Sequence, residues 1–163
     1  MKYNQYSYET IKKLIAKGQK YASKGYSIND VLYAEDFSES QWEFVQMGLE
    51  HPDFVPGEIK TFYRIGEPRE DGYGCYKNSY NFAEDRFENG VSVVTAEWLH
   101  NLKSVFFGTS DKDIEAKGVY KIRGFVVPNI GGDDETLICP MDWAEKTRIR
   151  TRNGLEKAVK NIK

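Results

Sequence analysis

The sequence contains few of the residues that stabilise a small fold through disulfides or bound metal. There are two cysteines and two histidines among 163 residues, which excludes a disulfide-rich scaffold. The spacing of Cys75 and Cys139 relative to His51 and His100 does not match the ligand spacing of a structural zinc site. We therefore expect two reduced thiols and no bound metal.

Long hydrophobic runs are also missing. A helix that spans a bilayer takes about 18 consecutive apolar residues, and no such run occurs in the chain. The N-terminal segment MKYNQYSYET lacks the apolar centre of a secretory signal. These two absences predict a cytoplasmic protein without a membrane partner.

A strong excess of one charge is absent as well, although the charges are unevenly distributed. The formal net charge of −2 argues against wholesale nucleic-acid binding. The C-terminal segment EKTRIRTRNGLEKAVKNIK is nevertheless basic, and Arg148, Arg150 and Arg152 alternate along it. On a strand they would form a basic row that contacts a protein partner or, as the lesser alternative, nucleic acid. The competing interpretation is a solvated edge strand, on which the charges prevent pairing with another chain.

Turning to what is present, the first third of the chain has the pattern of short amphipathic helices. Ser7 is a candidate N-cap for a helix with apolar residues at helical spacing, which ends near Gly25. Ser27 with Asp30, and Ser38 with Gln41, have the spacing of helix starts, and the second pair matches a capping box. We expect two or three helices that end before Pro52.

Beyond residue 56 the sequence favours strands. Five short segments are rich in β-branched and aromatic residues and are bounded by Gly, Pro or Asp: IKTFYRI, GVSVVT, GVYKIRGFVV, ETLICP and KTRIRT. A final amphipathic pattern that begins near Leu155 predicts a C-terminal helix. We therefore predict an α+β protein with a helical module over residues 1–56. Residues 57–163 would form a domain with a small mixed or antiparallel sheet.

One helical segment has a recognisable pattern. FSESQWEFVQMGLEHPDF resembles a helical repeat unit that occurs in many proteins of Gram-positive phages and plasmids. The resemblance covers about eighteen residues in a single copy. It implies an origin in a mobile element.

Three motifs of the second module occur in a characteristic order. FYRIG carries Arg64 on the first predicted strand, FFGTSD carries Thr109 and Ser110, and GGDDETLICP carries Asp133 and Glu135 at the start of a strand. In this order the chain resembles the ADP-ribosyltransferase superfamily over about residues 58–152. The chain differs from the family's pattern at Gly108, where the family has a serine, and at Asp133, where it has a glutamate.

The resemblance implies roles for these residues in cleaving NAD. Cleavage of the nicotinamide–ribose bond develops positive charge on the sugar, which a carboxylate stabilises, and Glu135 would supply it as the catalytic residue. Arg64 would hold the pyrophosphate through paired charge-assisted hydrogen bonds. Thr109 or Ser110 would orient Glu135, and Tyr63 or a tyrosine of the long segment GEPREDGYGCYKNSYNFAEDRFENG would stack on nicotinamide. Asp133 occupies the position that helps to select the acceptor.

Each of these motifs also has a structural interpretation. An arginine on a strand is commonly a surface or ion-paired residue, and GTSD is a common composition of turns and helix caps. GGDDE is typical of a solvated hairpin loop. The rival function is accordingly a non-catalytic binding protein, such as an anti-CRISPR or other anti-defence inhibitor. It would act by contact with a host or defence-system protein.

Overall fold

The fold combines helices and an antiparallel sheet, as the α+β prediction requires. The computed structural model describes residues 6–66, 79–81, 86–88, 90–94, 110–128 and 136–160. The helices of these residues are α1 (Tyr8–Ser23), α2 (Ile28–Ala34), α3 (Glu39–Glu50), α4 (Asp111–Lys117) and α5 (Arg152–Val159). The strands are β1 (Lys60–Ile65), β2 (Ser79–Asn81), β3 (Arg86–Glu88), β4 (Val91–Val93), β5 (Val119–Val126) and β6 (Thr136–Lys146).

The N-terminal helices begin where their capping residues predict. The Ser7 side chain accepts a hydrogen bond from the Thr10 backbone N–H, and α1 ends at Ser23, just before Gly25. Ser27 and Ser38 each form a complete capping box at the start of α2 and α3. A side-chain acceptor at this position satisfies a backbone donor that the first helical turn leaves unpaired. The predicted helix starts are therefore confirmed.

Helices α1 and α3 pack with their backbones in close contact. A Cβ atom added to Gly18 would overlap the Val45 carbonyl oxygen, and one added to Gly48 would overlap the Ile15 carbonyl oxygen. Glycine is the residue that permits such an approach, because it has no side chain at the crossing point. The two glycines thus set how closely the helices pack.

The main sheet has the strand order β1-β5-β6-β4 with antiparallel pairing throughout. Strands β2 and β3 pair as a separate two-stranded unit. An isolated antiparallel bridge joins Tyr63 of β1 to Val94, which follows β4, and the Val94 N–H donates to the Tyr63 carbonyl at 2.8 Å. Because β1 and β4 are the outermost strands in the order, this bridge curls the sheet into a ring at one end.

The described residues form three hydrophobic core clusters. The inner cluster draws residues from all four strands of the main sheet: Phe62, Val91, Val93, Ile122 and Ile138. The α1–α3 cluster joins the N-terminal helices to β5 and β6 through Ile11, Ile15, Phe44, Met47, Phe125, Val127, Leu137, Cys139 and Met141. The C-terminal cluster joins α4 and α5 to the sheet through Val94, Ile114, Val119, Leu155 and Val159.

The α1–α3 cluster shows that the N-terminal helices pack on the sheet. Tyr8 of α1 stacks on Phe125 of β5 with ring centroids 5.1 Å apart, and its hydroxyl donates to the Gly57 carbonyl. Residues on both sides of position 56 therefore contribute to one hydrophobic cluster. The division of the chain into domains at that position stays a prediction from the sequence.

The prediction of a strand at KTRIRT is wrong. Strand β6 is longer than ETLICP and ends at Lys146, the first residue of that segment. The Thr147 N–H still donates to the Val119 carbonyl at 2.8 Å, but Ile149 then packs against the C-terminal cluster and Thr151 caps α5. The chain leaves the sheet because burying Ile149 and starting the helix require a turn toward α4.

Candidate functional site

Arg64 and Tyr63 lie next to each other on β1 and face opposite sides of the sheet. Arg64 lies on the same side of the sheet as Phe62 of the inner cluster, and its backbone pairs with that of Tyr120 on β5. Its side chain is half-buried, and its Nε atom is buried. Tyr63 packs instead against the C-terminal cluster. The two residues therefore do not face the same ligand pocket, although the resemblance assigns both to NAD.

Ser110 serves as the N-cap of α4. Its hydroxyl oxygen accepts from the Asp113 backbone N–H at 3.2 Å, and the hydroxyl donates to Asp113 Oδ2 at 2.9 Å. The Asp113 carboxylate also accepts from the Ser110 backbone N–H at 3.4 Å, which completes a capping box. This arrangement matches the structural interpretation of GTSD, since both hydrogen-bonding functions of the hydroxyl are used within the cap.

The remaining residues of the predicted NAD site, Thr109, Asp133 and Glu135, lie outside the described residues. The nearest described neighbour of Glu135 in the chain is Thr136, which begins β6 and pairs with Val93 of β4. Thr136 is half-buried and stands on the inner side of the sheet, since its partner Val93 belongs to the inner cluster.

The bridge between Tyr63 and Val94, which we call the ring closure, sets the distance between Thr136 and Arg64. The bridge between Tyr63 and Val94 is antiparallel, so continuing its register by one residue brings Arg64 opposite Val93. Val93 in turn pairs with Thr136. Two strand spacings, about 10 Å, then separate the backbones of Arg64 and Thr136. In an open sheet of the same strand order these residues would lie near opposite edges.

The three arginines of the predicted basic row lie in two places: Arg148 and Arg150 line a cavity, and Arg152 lies on α5. Arg148 and Arg150 are exposed and line a cavity of about 390 Å³. Arg152 is half-buried on α5, where its Nε lies 3.5 Å from the Glu156 carboxylate. A strand would have presented all three on one face. Because the chain turns into α5, only the first two share a surface.

We call this cavity the basic cavity. The residues that line it are Glu115, Gly118, Lys146, Thr147, Arg148, Ile149 and Arg150. Only Arg148 and Arg150 of this set were predicted to act in binding. The alternation of cations in the sequence was a signal for them, whereas Glu115 and Gly118 belong to an earlier helix and reach the cavity only through folding.

Gly118 lines the basic cavity and allows Lys146 to pack closely against it. It ends α4 with φ of 76°, a conformation that favours glycine. A Cβ atom there would lie 2.7 Å from Lys146 Cε, so the lysine stem packs directly over the glycine. The Gly118 carbonyl also accepts from the Gly66 N–H at 2.8 Å, which ties the end of β1 to the same position.

A second exposed feature lies on and before α2. Four large hydrophobic side chains are exposed there, namely Tyr26, Ile28, Leu32 and Tyr33, and we call them the α2 surface. Tyr33 is the extreme case, with 97% of its side chain accessible. Val31 of the same helix is fully buried and anchors it, so these residues stay exposed on a helix that is held in place.

Helix α2 is also attached by an ionic contact at its end. Lys17 of α1 donates to the Glu35 carboxylate at 2.5 Å, and the Tyr21 hydroxyl donates to it at 2.8 Å. These hydrogen bonds, the one from Lys17 first, hold the pKa of Glu35 below its usual value. The contact joins α1 to the residue that follows α2.

Two further properties concern the described residues alone. No helix among them is long and apolar enough to cross a membrane. No group of three or more His, Cys, Asp and Glu side chains among them is arranged to hold a metal ion.

Comparisons with known proteins add no assignment. No protein family, no curated protein and no solved structure matches the chain. Functional inference therefore rests on the residues and their geometry.

Proposed function

We propose that this chain is an NAD-dependent mono-ADP-ribosyltransferase-like protein of phage or mobile-element origin, which modifies a host macromolecule in the host cytosol. NAD would be its substrate, and no metal would be required. The observation that supports this proposal is the ring closure between β1 and β4. It puts Thr136, the residue that follows Glu135 and begins β6, about two strand spacings from Arg64.

The chemistry follows from the charges that develop during the reaction. The bond between nicotinamide and ribose breaks, and neutral nicotinamide leaves with the bonding electron pair. The acceptor atom attacks the same ribose carbon and loses its proton to solvent. Glu135 would stabilise the positive charge on the sugar, and Arg64 would bind the pyrophosphate with its planar guanidinium.

Label transfer from NAD tests this proposal. The purified protein is incubated with NAD labelled in the adenylate part and with a host lysate, and transfer to macromolecules and nicotinamide release are measured. We expect Glu135→Gln to reduce both by about a hundredfold or more, because it removes the charge that stabilises the transition state. The matched control is Glu145→Gln, which changes an exposed carboxylate on β6.

Arg64→Lys sharpens the test. Lysine keeps the positive charge and loses the planar fork, so we expect KM for NAD to rise about tenfold while kcat changes less. A wild-type protein that releases no nicotinamide with any host lysate contradicts the proposal.

The α2 surface favours a second function, a non-catalytic protein that binds a host or defence-system protein. Exposed aromatic and aliphatic side chains that are held on an anchored helix are the kind of residues that dominate protein interfaces. Tyr33 and Leu32 are the main candidates, with 97% and 46% of their side chains accessible.

A paired-variant capture experiment tests this second function. The tagged protein is used to capture partners from cells that carry defence systems, and captured proteins are identified by mass spectrometry. We expect the double variant Leu32→Ser, Tyr33→Ser to lose a specific partner, because interface anchors of this type commonly contribute about 2 kcal/mol each. Val55→Ser is the control, since Val55 is 82% accessible and lies outside α2. Equal capture by both variants contradicts this function.

A further inference from the structure

We propose that the basic cavity binds a small sugar phosphate, either free or as part of a mononucleotide. This inference does not rest on the transferase proposal, because the cavity residues are distinct from Arg64 and the Glu135 motif. Four observations carry it: the charge of the described lining residues, the Glu115 carboxylate among them, the size of the cavity and the hydrogen bonds that hold its backbone.

The charge of the lining matches a phosphate monoester. Among the lining residues that the structure describes, Lys146, Arg148 and Arg150 contribute three positive charges and Glu115 one negative charge, which leaves two positive charges in excess. A phosphate monoester carries about −1.5 to −2 at neutral pH. Guanidinium groups bind phosphate oxygens through paired charge-assisted hydrogen bonds, so the arginines are suited to this ligand.

The Glu115 carboxylate distinguishes a sugar phosphate from a bare anion as the ligand. The Glu115 Oε1 atom lies 4.0 Å from the Arg150 Nη1 atom, and both side chains are exposed. A carboxylate repels phosphate, but it accepts hydrogen bonds from sugar hydroxyls. A ligand with a phosphate at one end and hydroxyls at the other satisfies both groups.

The size of the cavity fits a small molecule. Its volume of about 390 Å³ lies in the range of about 300–1,000 Å³ that small-molecule sites occupy. It exceeds what a single phosphate ion fills, which leaves room for a sugar. The half-buried Ile149 adds apolar surface to the wall.

The walls are held by contacts that do not involve the cations. The Ile149 N–H donates to Thr147 Oγ1 at 3.2 Å, and the Arg152 backbone N–H donates to the Asp111 carboxylate at 2.8 Å. The second bond connects the start of α5 to the start of α4. These bonds hold the backbone on either side of Arg150, so the ordering cost of binding falls mainly on the arginine side chains.

Nucleic acid is the less suitable phosphate ligand. Proteins that bind along a nucleic-acid backbone usually present an extended basic stripe, whereas Arg148 and Arg150 line one cavity. Arg152, which would extend the row, lies beside Glu156. The net charge of the whole chain, −2, also opposes a polyanion.

Calorimetric titration with a set of defined probes tests the proposal. The probes are ribose 5-phosphate, AMP, ribose, inorganic phosphate, sulfate and a single-stranded oligonucleotide, each at low and at physiological salt. We expect ribose 5-phosphate to bind at least about tenfold more tightly than inorganic phosphate, because it adds hydroxyl contacts. Tighter binding of AMP than of ribose 5-phosphate supports the proposal with a mononucleotide as the source.

Variants locate the site. Arg148→Gln with Arg150→Gln should weaken ribose 5-phosphate binding by about tenfold or more, since each charge-assisted contact contributes substantially. Glu115→Ala should strengthen binding of inorganic phosphate and reduce the preference for ribose 5-phosphate over phosphate. Arg123→Gln, an exposed arginine on β5 outside the cavity, should change neither. Arg64→Gln should leave ribose 5-phosphate binding intact, which separates this site from the proposed NAD site.

Several results would overturn the proposal. Equal affinity for phosphate, sulfate and ribose 5-phosphate indicates an adventitious ion only. Binding of the oligonucleotide without binding of ribose 5-phosphate indicates a nucleic-acid surface. Absence of binding to every probe, in a protein whose circular dichroism shows that it is folded, also refutes the site.

Discussion

The helix pair α1 and α3 and the helix pair α4 and α5 both cover the sheet, but they use their polar groups differently. On the α1–α3 side, two pairs of polar groups are bonded within the protein: the Tyr6 hydroxyl lies 2.7 Å from Ser40 Oγ, and Gln19 donates to the Phe54 carbonyl at 2.6 Å. On the α4–α5 side, Arg148 and Arg150 are exposed beside a cavity.

The difference separates groups that stabilise the fold from groups that are available to a ligand. Buried polar groups such as Ser40, with 5% of its surface accessible, need a partner because burial removes their water. Exposed cations beside a concave surface keep their water and can exchange it for an anion. We therefore expect substitutions of groups that are buried or bonded within the protein to change stability, and substitutions of the exposed cations beside the cavity to change binding.

The largest effect on stability is expected for Gly48→Ala, which tests the close contact of α1 and α3. In Gly48→Ala the new methyl group would overlap the Ile15 carbonyl oxygen, so the helices must separate. We expect a loss of about 3 kcal/mol in the free energy of unfolding, measured by urea denaturation. The affinity for ribose 5-phosphate should stay unchanged in the folded fraction.

Gly57→Ala is the matched control for this substitution. A Cβ atom at Gly57 meets nothing within 4 Å, so the change should stay within about 0.5 kcal/mol. Equal losses in both variants would show that the helix contact does not determine the stability of this side.

An intermediate effect on stability is expected for substitutions of Ser110, which test its assignment as the N-cap of α4. Ser110→Ala removes both hydrogen bonds to Asp113 and should lower the free energy of unfolding by about 1 kcal/mol. Ser110→Asp keeps an N-cap acceptor, so we expect it to retain most of that stability. Both variants are compared by urea denaturation.

The same variants also report on the catalytic interpretation of this residue. If Ser110 acts only as a cap, nicotinamide release by Ser110→Asp should equal that of the wild type. Loss of release in Ser110→Asp without loss of stability would instead assign the hydroxyl to the reaction.

The smallest expected effect concerns Glu35 and its pH dependence. Lys17 and Tyr21 lower the pKa of Glu35 in the folded protein. The contact therefore stabilises the fold above the usual glutamate pKa, and this contribution disappears as the pH falls through the lowered value. Because 34% of the Glu35 side chain and 43% of the Lys17 side chain are exposed, we expect only about 0.5 kcal/mol at neutral pH.

Denaturation of Glu35→Gln at neutral and at acidic pH checks this expectation. The difference from the wild type should be present at neutral pH and should vanish below the lowered pKa. Glu58→Gln, at an exposed position before β1, serves as control and should show no such pH dependence. A difference that persists in acid would show that the charge of Glu35 is not its source.

The candidate site was only partly predictable from the sequence. The alternation of Arg148 and Arg150 indicated a cationic surface, and both residues do line one cavity. The predicted strand that would have aligned Arg152 with them was wrong, because the chain turns into α5 there. Strand propensity cannot anticipate such a turn, since burial of Ile149 against distant residues decides it.

The sequence by itself determined the starts of the three N-terminal helices and the α+β class. Ser7, Ser27 and Ser38 cap helices through bonds to residues only three positions away, so the information is local. Tertiary structure alone decided that the end of β4 forms a bridge with β1. It also decided that Gly118 and Glu115 line one cavity with Lys146 and the arginines. The close packing of α1 and α3 at Gly18 and Gly48 is a third feature of this kind. These features join residues far apart in the chain, and packing free energy rather than local propensity selects them.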